Sequence, residues 1–187
     1  DMRKNIEKYI SYFKNNNIPI EIAFYGGSFT GLDINLMISY LSIAKDYINK
    51  GLVNSIRLST RPDYINKEIL EVLVKYNVKT IELGIQSLTQ STLDLNNRGH
   101  NVDCVYEASS LIKEYGINLG LQMMVGLYGD TFETVLNTAF KLSKINPDFV
   151  RVYPTLTIKD TELERLYYMK KYIPMSLEDS IYFCKYV

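Results

Sequence analysis

Residues that bind metals or form disulfides are scarce in this 187-residue sequence. It contains two cysteines, Cys104 and Cys184, a single histidine, His100, and no tryptophan. Neither cysteine has a second cysteine or a histidine at the short spacing that metal-ligand motifs require. We therefore predict no metal site within this chain, and we interpret both cysteines as small buried hydrophobic residues on helices.

The sequence also lacks an excess of charge and any long apolar run. Its 21 Lys and Arg residues equal its 21 Asp and Glu residues, so no net charge draws it toward nucleic acid or membranes. No apolar run approaches the roughly 20 residues of a transmembrane helix, and no signal peptide is visible. We predict a cytoplasmic protein without a membrane partner, and its length of 187 residues predicts one domain.

Short apolar runs alternate with helical patterns along the chain. Strands are predicted to begin near residues 20, 55, 79, 117 and 148. Apolar residues at three- and four-residue spacing predict helices over residues 2–16, 33–50, 67–76, 102–115, 131–144, 160–171 and 176–187. A polar loop is predicted over residues 90–101. This alternation is typical of parallel, right-handed β/α units, so the predicted fold class is α/β, either most of a β/α barrel or an open sheet.

The first predicted strand ends in the turn Gly26-Gly27-Ser28. Backbone without side chains at the carboxyl end of a strand lets a ligand approach closely. Taken alone, a glycine pair more simply indicates a tight turn between a strand and a helix. Its interpretation therefore depends on what the other strand ends carry.

Polar side chains occupy alternate positions along the other four strands. The stripes read Arg57-Ser59-Arg61, Glu82-Gly84-Gln86, Gly120-Gln122-Met124 and Arg151-Tyr153. A parallel strand buried on both faces would be apolar throughout, so we predict that one face packs on helices and the other lines a polar lumen. Arginines in such a lumen need partners. Arg57 and Arg151 therefore predict either an internal ion-pair network with Glu82 or a ligand cavity at the carboxyl ends of the strands.

Six short segments occur in an order that resembles one family. They are FYGGSF at 24–29, STRPD at 59–63, ELGIQS at 82–87, RGH at 98–100, LQMMVGL at 121–127 and RVYP at 151–154. Together they resemble the radical S-adenosylmethionine (SAM) enzymes related to the Elongator catalytic subunit, which modifies the wobble uridine of tRNA. The resemblance covers nearly the whole chain, and the order of six motifs is far more specific than any one of them.

The resemblance implies a partial (β/α)6 barrel of the TIM type and two cofactors. A 4Fe–4S cluster is held by three cysteines in a CxxxCxxC-type loop after the first strand, and SAM binds at that cluster. Reductive cleavage of SAM then gives a 5′-deoxyadenosyl radical that abstracts hydrogen from a substrate. The implied partners are a tRNA or a small-molecule substrate and an electron donor such as ferredoxin or flavodoxin.

The sequence departs from the family pattern at the cluster motif, because it contains no cysteine triplet. The first strand that it contains carries the glycine pair, which in the family belongs to the second strand. We therefore expect the first strand and the cluster loop to precede Asp1. Residues 1–187 are then a radical SAM core barrel that is incomplete at its N-terminus and truncated at its C-terminus, and this piece alone is expected to be inactive.

The resemblance also implies a set of cofactor-binding residues. The backbone of the glycine pair would bind the SAM amine, Gln86 would contact the ribose or the methionyl carboxylate, and adenine would rest against the strand that contains Gln122. Arginines suit a bidentate grip on carboxylate or phosphate. The predicted set is Gly26, Gly27, Ser28, Arg61, Gln86, Gln122, Gly126, Arg151 and Tyr153.

Simpler roles remain open for several of these residues. Ser28 can cap the turn, and Gln86 can bond to neighbouring backbone. Both Arg61 and Arg151 can pair with Glu82 in the lumen. Gly126 can be needed only for the backbone conformation of the turn after its strand.

A second, smaller group of residues is predicted to face the substrate. Arg98 and His100 lie in the polar loop, where a solvated surface is the alternative. Two other functions remain open as well. One is a barrel that binds nucleotide or RNA without catalysis, and the other is an unrelated β/α-barrel enzyme acting on a phosphorylated or carboxylated metabolite.

Overall fold

Five parallel strands form a single curled sheet in the computed structural model, which describes residues 1–13 and 18–187. The strands follow one another across the sheet in the order of the sequence, and every neighbouring pair is parallel. They are β1 (Glu21–Phe24), β2 (Ser55–Thr60), β3 (Val78–Gln86), β4 (Asn118–Val125) and β5 (Phe149–Pro154). The curled sheet is half of a barrel, which confirms the predicted α/β fold class and partial barrel.

One helix precedes the first strand and the others follow strands. They are α1 (Met2–Ser11), α2 (Ile34–Asn49), α3 (Lys67–Lys75), α4 (Gln90–Leu95), α5 (Val102–Glu114), α6 (Phe132–Ile145), α7 (Glu162–Tyr168) and α8 (Leu177–Tyr186). Of these, α2, α3, α5 and α6 bury apolar side chains in the same core as the sheet. In the described parts of the chain, no helix is both long enough and apolar enough to cross a membrane. The free thiols Cys104 and Cys184 lie on α5 and α8 and are half-buried.

Three of the predicted segments differ from the structure. The first helix, predicted over residues 2–16, ends at Ser11, and residues 14–17 lie outside the described part. The polar loop predicted over residues 90–101 contains the short helix α4, whose buried residues are too few to show a helical period. The helix predicted over 160–171 is shorter because Lys170, with a φ of +57°, follows its end in a left-handed conformation.

The two faces of the sheet divide as the sequence predicts. Aliphatic side chains that alternate with the polar stripes are buried on the convex face, and they are Ile56, Leu58, Leu83, Ile85, Leu119, Leu121 and Met123. The fifth strand departs from this pattern, because Val150 is 42% exposed. Within the described sheet β1 and β5 are the edge strands, so their outer sides have no neighbouring strand.

Candidate functional site

The carboxyl ends of the strands meet at one edge of the half-barrel, and most of the predicted site residues lie there. Gly26 follows β1, Arg61 follows β2, Gln86 ends β3, and Gly126 follows β4. Parallel β/α folds bind their ligands at this edge. Two groups of polar side chains occupy it or lie just below it on the concave face.

The first group surrounds Glu82, a fully buried carboxylate in the middle of β3. Its Oε1 accepts hydrogen bonds from the Tyr25 hydroxyl at 2.5 Å and from Arg57 Nη1 at 3.2 Å. Its Oε2 accepts from Gln122 Nε2 at 2.9 Å and from Arg151 Nε at 2.8 Å. These five residues, which we call the Glu82 cluster, join side chains from or directly after every strand of the described sheet.

The charges of the Glu82 cluster are balanced when Glu21, which lies outside it on β1, is included. Arg57 donates from Nε to Glu21 at 2.9 Å as well as to Glu82, so two guanidinium groups face two carboxylates. Burial is the largest influence on Glu82 and disfavours its ionised form. Hydrogen bonds from Tyr25, Gln122 and Arg151 together outweigh it and lower the pKa of the Glu82 carboxyl.

The ring of Phe149 closes the concave face at the level of the Glu82 cluster. The guanidinium groups of Arg57 and Arg151 lie 5.7 and 5.8 Å from its centre, in the range of cation–π contacts. The ring also lies against Gly120, where any Cβ would collide with it. Gly120 therefore appears in the polar stripe of β4 because the ring of its neighbour on β5 takes the space of a side chain.

The structure gives two of the predicted cofactor-binding residues a different immediate partner. Gln122 and Arg151 both donate to Glu82, and Arg151 bonds to both carboxylate oxygens. The predicted ion pairs of Arg57 and Arg151 with Glu82 are thereby confirmed. Tyr153 lies two residues beyond Arg151 on β5 and is 42% exposed.

The second group lies at the end of β3, and we call its members Gln86, Arg98 and His100 the β3-end cluster. Gln86 has a left-handed backbone with a φ of +59°. Its side-chain Oε1 accepts a hydrogen bond from Arg98 Nη2 at 2.9 Å. The His100 ring is buried, with Nε2 3.3 Å from the carbonyl oxygen of Ile85. Arg98 and His100 therefore turn inward onto β3 rather than out from a solvated loop.

Burial changes the titration of the β3-end cluster. It is the main cause that lowers the pKa of Arg98, with repulsion from Arg61 as the second cause. It also lowers the pKa of His100, although the hydrogen bond with the Ile85 carbonyl acts in the opposite direction. Both groups thus carry their positive charge less readily than an exposed residue would.

Arg61 has its own acidic partner. It donates from Nε and Nη2 to the two carboxylate oxygens of Asp63 at 2.9 and 2.6 Å, and its guanidinium lies 5.1 Å from the centre of the Tyr64 ring. The alternative pairing of Arg61 with Glu82 is therefore wrong. The hydrogen bond to Asp63, two residues away, is the main cause that raises the pKa of Arg61. Gly99 lies close above, because a Cβ there would be 2.9 Å from Arg61 Nη2.

The glycine turn after β1 faces open space. Gly26 has a φ of +103°, and a Cβ added to Gly26 or Gly27 would meet no described atom within 4 Å. Ser28 precedes a short 3-10 turn without capping it through its side chain. The turn borders a cavity of about 670 Å³ between α1 and β1, whose other lining is largely apolar.

The turn after β4 is covered instead. The carbonyl oxygen of Gly126 accepts a hydrogen bond from the Tyr172 hydroxyl at 2.8 Å. A Cβ at Gly126 would collide with the side chain of Met175. The segment between α7 and α8 therefore packs on Gly126, a member of the predicted cofactor-binding set.

The roles of Tyr25 and Asp63 and the orientation of Arg98 were not predicted from the sequence. Tyr25 continues the alternation of β1 by one residue. Its position next to the glycine pair therefore indicated that its side chain lies at the end of the strand. Asp63 was visible as a carboxylate two residues after Arg61. No local signal in the sequence predicts the contact of Arg98 with Gln86.

Comparisons with known proteins identify the family of this chain and several of its relatives. The radical SAM superfamily profile matches residues 3–142, and the radical SAM C-terminal domain profile matches residues 147–187. The tRNA uridine(34) acetyltransferase of Methanocaldococcus jannaschii is 26% identical, over 89% of this chain and 35% of the relative. Elongator complex protein 3 of Schizosaccharomyces pombe is 33% identical, over 67% of this chain and 24% of the relative.

Solved structures extend the likeness to the fold. Elp3 of the archaeon Methanocaldococcus infernus, with its N-terminus deleted, superposes with a TM-score of 0.85 and 26% identity, over 98% of this chain and 48% of that chain. The coproporphyrinogen III oxidase HemN of Escherichia coli shares the fold, with a TM-score of 0.70 at 17% identity. The match to the M. jannaschii relative covers only 35% of that protein's length, so this chain corresponds to about a third of it. It belongs to the radical SAM superfamily.

Proposed function

We propose that this chain is the SAM-binding core of a radical SAM enzyme whose complete form modifies a uridine of tRNA. The observation that carries the proposal is the open Gly26-Gly27 turn at the same edge of the half-barrel as the strained Gln86. The names of the tRNA uridine(34) acetyltransferases support tRNA as the substrate. An electron donor such as ferredoxin or flavodoxin is part of the same proposal.

The residues at this edge fit the chemistry of SAM. An ammonium group needs oxygen acceptors, and the glycine pair offers backbone carbonyls beside space that no described side chain fills. A carboxylate or a ribose hydroxyl needs a hydrogen-bond donor, which the amide of Gln86 can supply. We propose that Gly26, Gly27 and Ser28 hold the methionyl end and that Gln86 contacts the ribose or the carboxylate.

The residues of this chain do not fit a 4Fe–4S cluster. No group of three His, Cys, Asp or Glu side chains in the described ranges is arranged to hold a metal ion. The two thiols lie on separate helices, whereas cluster irons are bound by cysteine thiolates. In the family, cleavage of SAM at the cluster supplies the 5′-deoxyadenosyl radical.

The free edge of β1 supports a proposal for the missing part of the barrel. In the described sheet β1 pairs with β2 alone, and the apolar cavity between α1 and β1 runs beside its other edge. We propose that a further parallel strand pairs with this edge, and that the loop after it carries the cluster cysteines. Residues 1–187 alone are then expected to be inactive.

The Glu82 cluster has a supporting role in this proposal. Gln122 and Arg151 both bond to the fully buried carboxylate of Glu82, so in this proposal they hold neighbouring strands together beneath the site. The cofactor contacts predicted for them stay predictions. Arg61, held by Asp63, borders the same edge and leaves Arg98 without a carboxylate partner among the described residues.

Anaerobic reconstitution of the complete gene product with iron and sulfide tests the proposed function. We expect the absorption of a 4Fe–4S cluster and SAM-dependent formation of 5′-deoxyadenosine, with a modified tRNA uridine when tRNA is added. Residues 1–187 serve as the control and should yield no 5′-deoxyadenosine. A complete product that binds SAM but forms neither cluster nor 5′-deoxyadenosine would instead be a non-catalytic nucleotide-binding barrel.

A further inference from the structure

Gln86 adopts a backbone conformation that residues with side chains rarely use. Its φ of +59° lies in the left-handed region, and the pairing of β3 with β4 shifts register between Gly84 and Gln86. Such shifts redirect a side chain at the end of a strand. Strained backbone of this kind persists where its surroundings enforce it, and it is concentrated at binding sites.

The orientation of the Gln86 amide is fixed by its neighbour. An arginine only donates hydrogen bonds, so the amide oxygen must face Arg98, whose Nη2 lies 2.9 Å away. Both amide atoms lie over Gly84 on the concave face, since a Cβ there would be 3.2 Å from Nε2 and 3.5 Å from Oε1. Because Arg98 occupies the oxygen, the N–H groups are what the Gln86 amide can offer to a ligand at this face.

Arg98 is held in place without an ion pair. Its Nε is buried without a hydrogen-bond partner among the described residues, and the nearby carboxylate of Asp63 already accepts two hydrogen bonds from Arg61. A half-buried cation gains little from a neutral amide, so charge pairing does not explain why it is there.

The chain on either side of Arg98 is anchored to the half-barrel. The Arg98 backbone N–H donates to the carbonyl of Leu93 at the end of α4. Asn96 donates from Nδ2 to the carbonyl of Tyr128 at 2.8 Å, and His100 contacts the Ile85 carbonyl. Arg98 is thus fixed from both sides, and Gln86 is the group on which it acts.

We propose that Arg98 is a positioning residue that holds the Gln86 amide with its N–H toward the concave face, where it donates to an oxygen atom of bound SAM. This inference rests on the proposed function, namely that SAM binds at this edge. It gives Arg98 a role through Gln86 in place of direct contact with the substrate. A Cβ at position 84 would lie 3.2 Å from Nε2, a tight contact that would press on the amide.

A double-mutant cycle on the reconstituted complete gene product tests the proposal, with the dissociation constant of SAM measured by calorimetry. Arg98→Met removes the donor, and Gln86→Met removes the amide. Each change is expected to weaken SAM binding about tenfold, the effect of one hydrogen bond. The double variant should bind no more weakly than Gln86→Met alone, because Arg98 acts only through Gln86.

Two further variants make the cycle interpretable. Arg98→Lys keeps a donor and should recover most of the affinity, with a residual loss that disappears in the Gln86→Met background. Arg165→Met removes an exposed arginine on α7 and should leave the dissociation constant unchanged. If Arg98→Met does not fold, Arg98→Gln replaces it in the cycle, since it removes the guanidinium and keeps a polar side chain at this half-buried position.

Each other outcome overturns the inference. Losses that multiply in the double variant mean that Arg98 acts independently of Gln86, and an Arg98→Met protein with unchanged affinity means that it does not act at all. In both cases the proposed function stands, since SAM still binds. An unsubstituted protein that does not bind SAM instead overturns the proposed function and this inference with it.

Discussion

The Glu82 cluster and the β3-end cluster lie four residues apart on one strand, yet they satisfy their polar groups in opposite ways. In the Glu82 cluster each guanidinium faces a carboxylate, and both carboxylate oxygens of Glu82 accept hydrogen bonds. In the β3-end cluster Arg98 donates to a neutral amide. Arg98 Nε and His100 Nδ1 are buried without partners among the described residues.

This difference indicates that the Glu82 cluster stabilises the fold, whereas the β3-end cluster, on the same strand, serves binding. A fully satisfied polar network makes one arrangement of the five strands unique, because every alternative leaves a buried charge unpaired. A region with strain and unpaired groups is less stable than it could be, and natural proteins accept such costs at binding sites. The comparison predicts that substitutions in the first cluster act on folding and those in the second act on binding.

The largest effect is expected from Glu82→Gln. The change preserves shape but leaves Arg151 without a carboxylate partner and Arg57 with Glu21 alone. Because Arg151 is partly exposed, we expect a loss of about 2 kcal/mol of unfolding free energy, below the cost of breaking a fully buried pair. Urea denaturation measures it. The matched control is Glu162→Gln, which breaks an exposed pair with Arg165 and should change stability by less than about 1 kcal/mol. Equal effects for the two variants would mean that the cluster does not stabilise the fold.

A smaller effect is expected from Tyr25→Phe, because Tyr25 joins the Glu82 cluster to the glycine turn. Loss of its 2.5 Å hydrogen bond to a carboxylate should cost less than about 2 kcal/mol of unfolding free energy. Tyr25→Phe is the one substitution in the Glu82 cluster that should also weaken SAM binding, because Gly26 follows Tyr25 directly in the chain. Tyr47→Phe is the control, as its hydroxyl donates to Glu7 away from the strand ends, and it should leave SAM binding unchanged. If Tyr25→Phe left the affinity for SAM unchanged, the Glu82 cluster would act on folding alone.

Acid titration should distinguish the two clusters by the pH at which each loses stability. Burial lowers the pKa of His100 below its ordinary 6.5, so the unfolded chain binds a proton first and stability falls as the pH drops below 6.5. Glu82, with a pKa below its ordinary 4.5, contributes stability that is lost only as the pH falls below 4.5. Urea denaturation across this range measures both, and His100→Gln should remove only the upper component. A single loss below 4.5 in the unsubstituted protein would contradict the burial of a neutral His100.

The sequence was sufficient to predict the charged members of the Glu82 cluster but not Tyr25 or the β3-end cluster. The stripes of alternating strands place Arg57, Glu82 and Arg151 on one face, so ion pairs with Glu82 were one of the two predicted arrangements. The position of Arg98 depends on the short helix α4 and on anchors from β3 and β4, which no local pattern encodes. The left-handed Gln86 likewise results from a register shift between strands.

The contacts that cover Gly126 could not be predicted from the sequence either. Tyr172 and Met175 lie nearly fifty residues downstream, and their contacts with the turn after β4 depend on the path of the chain between α7 and α8. The cofactor and substrate contacts predicted for the site residues all stay predictions, and the measurements of SAM binding address those of Gln86. Periodicity thus predicts which residues share a face, whereas contacts made by loops require the folded structure.

The smallest effect on stability is expected from Gln86→Gly, and it gives the sharpest form of the comparison. Glycine adopts a positive φ freely, which relieves about 1 kcal/mol of strain, but it also gives the unfolded chain about as much additional entropy. The unfolding free energy should therefore change by less than about 0.5 kcal/mol. Affinity for SAM should nevertheless fall about tenfold, because the amide is lost. Asp160→Gly is the control, since Asp160 has a similar φ of +62° in the exposed loop before α7, and it should leave SAM binding unchanged. A Gln86→Gly variant that kept full affinity would show that the strain at the end of β3 serves the fold and not the ligand.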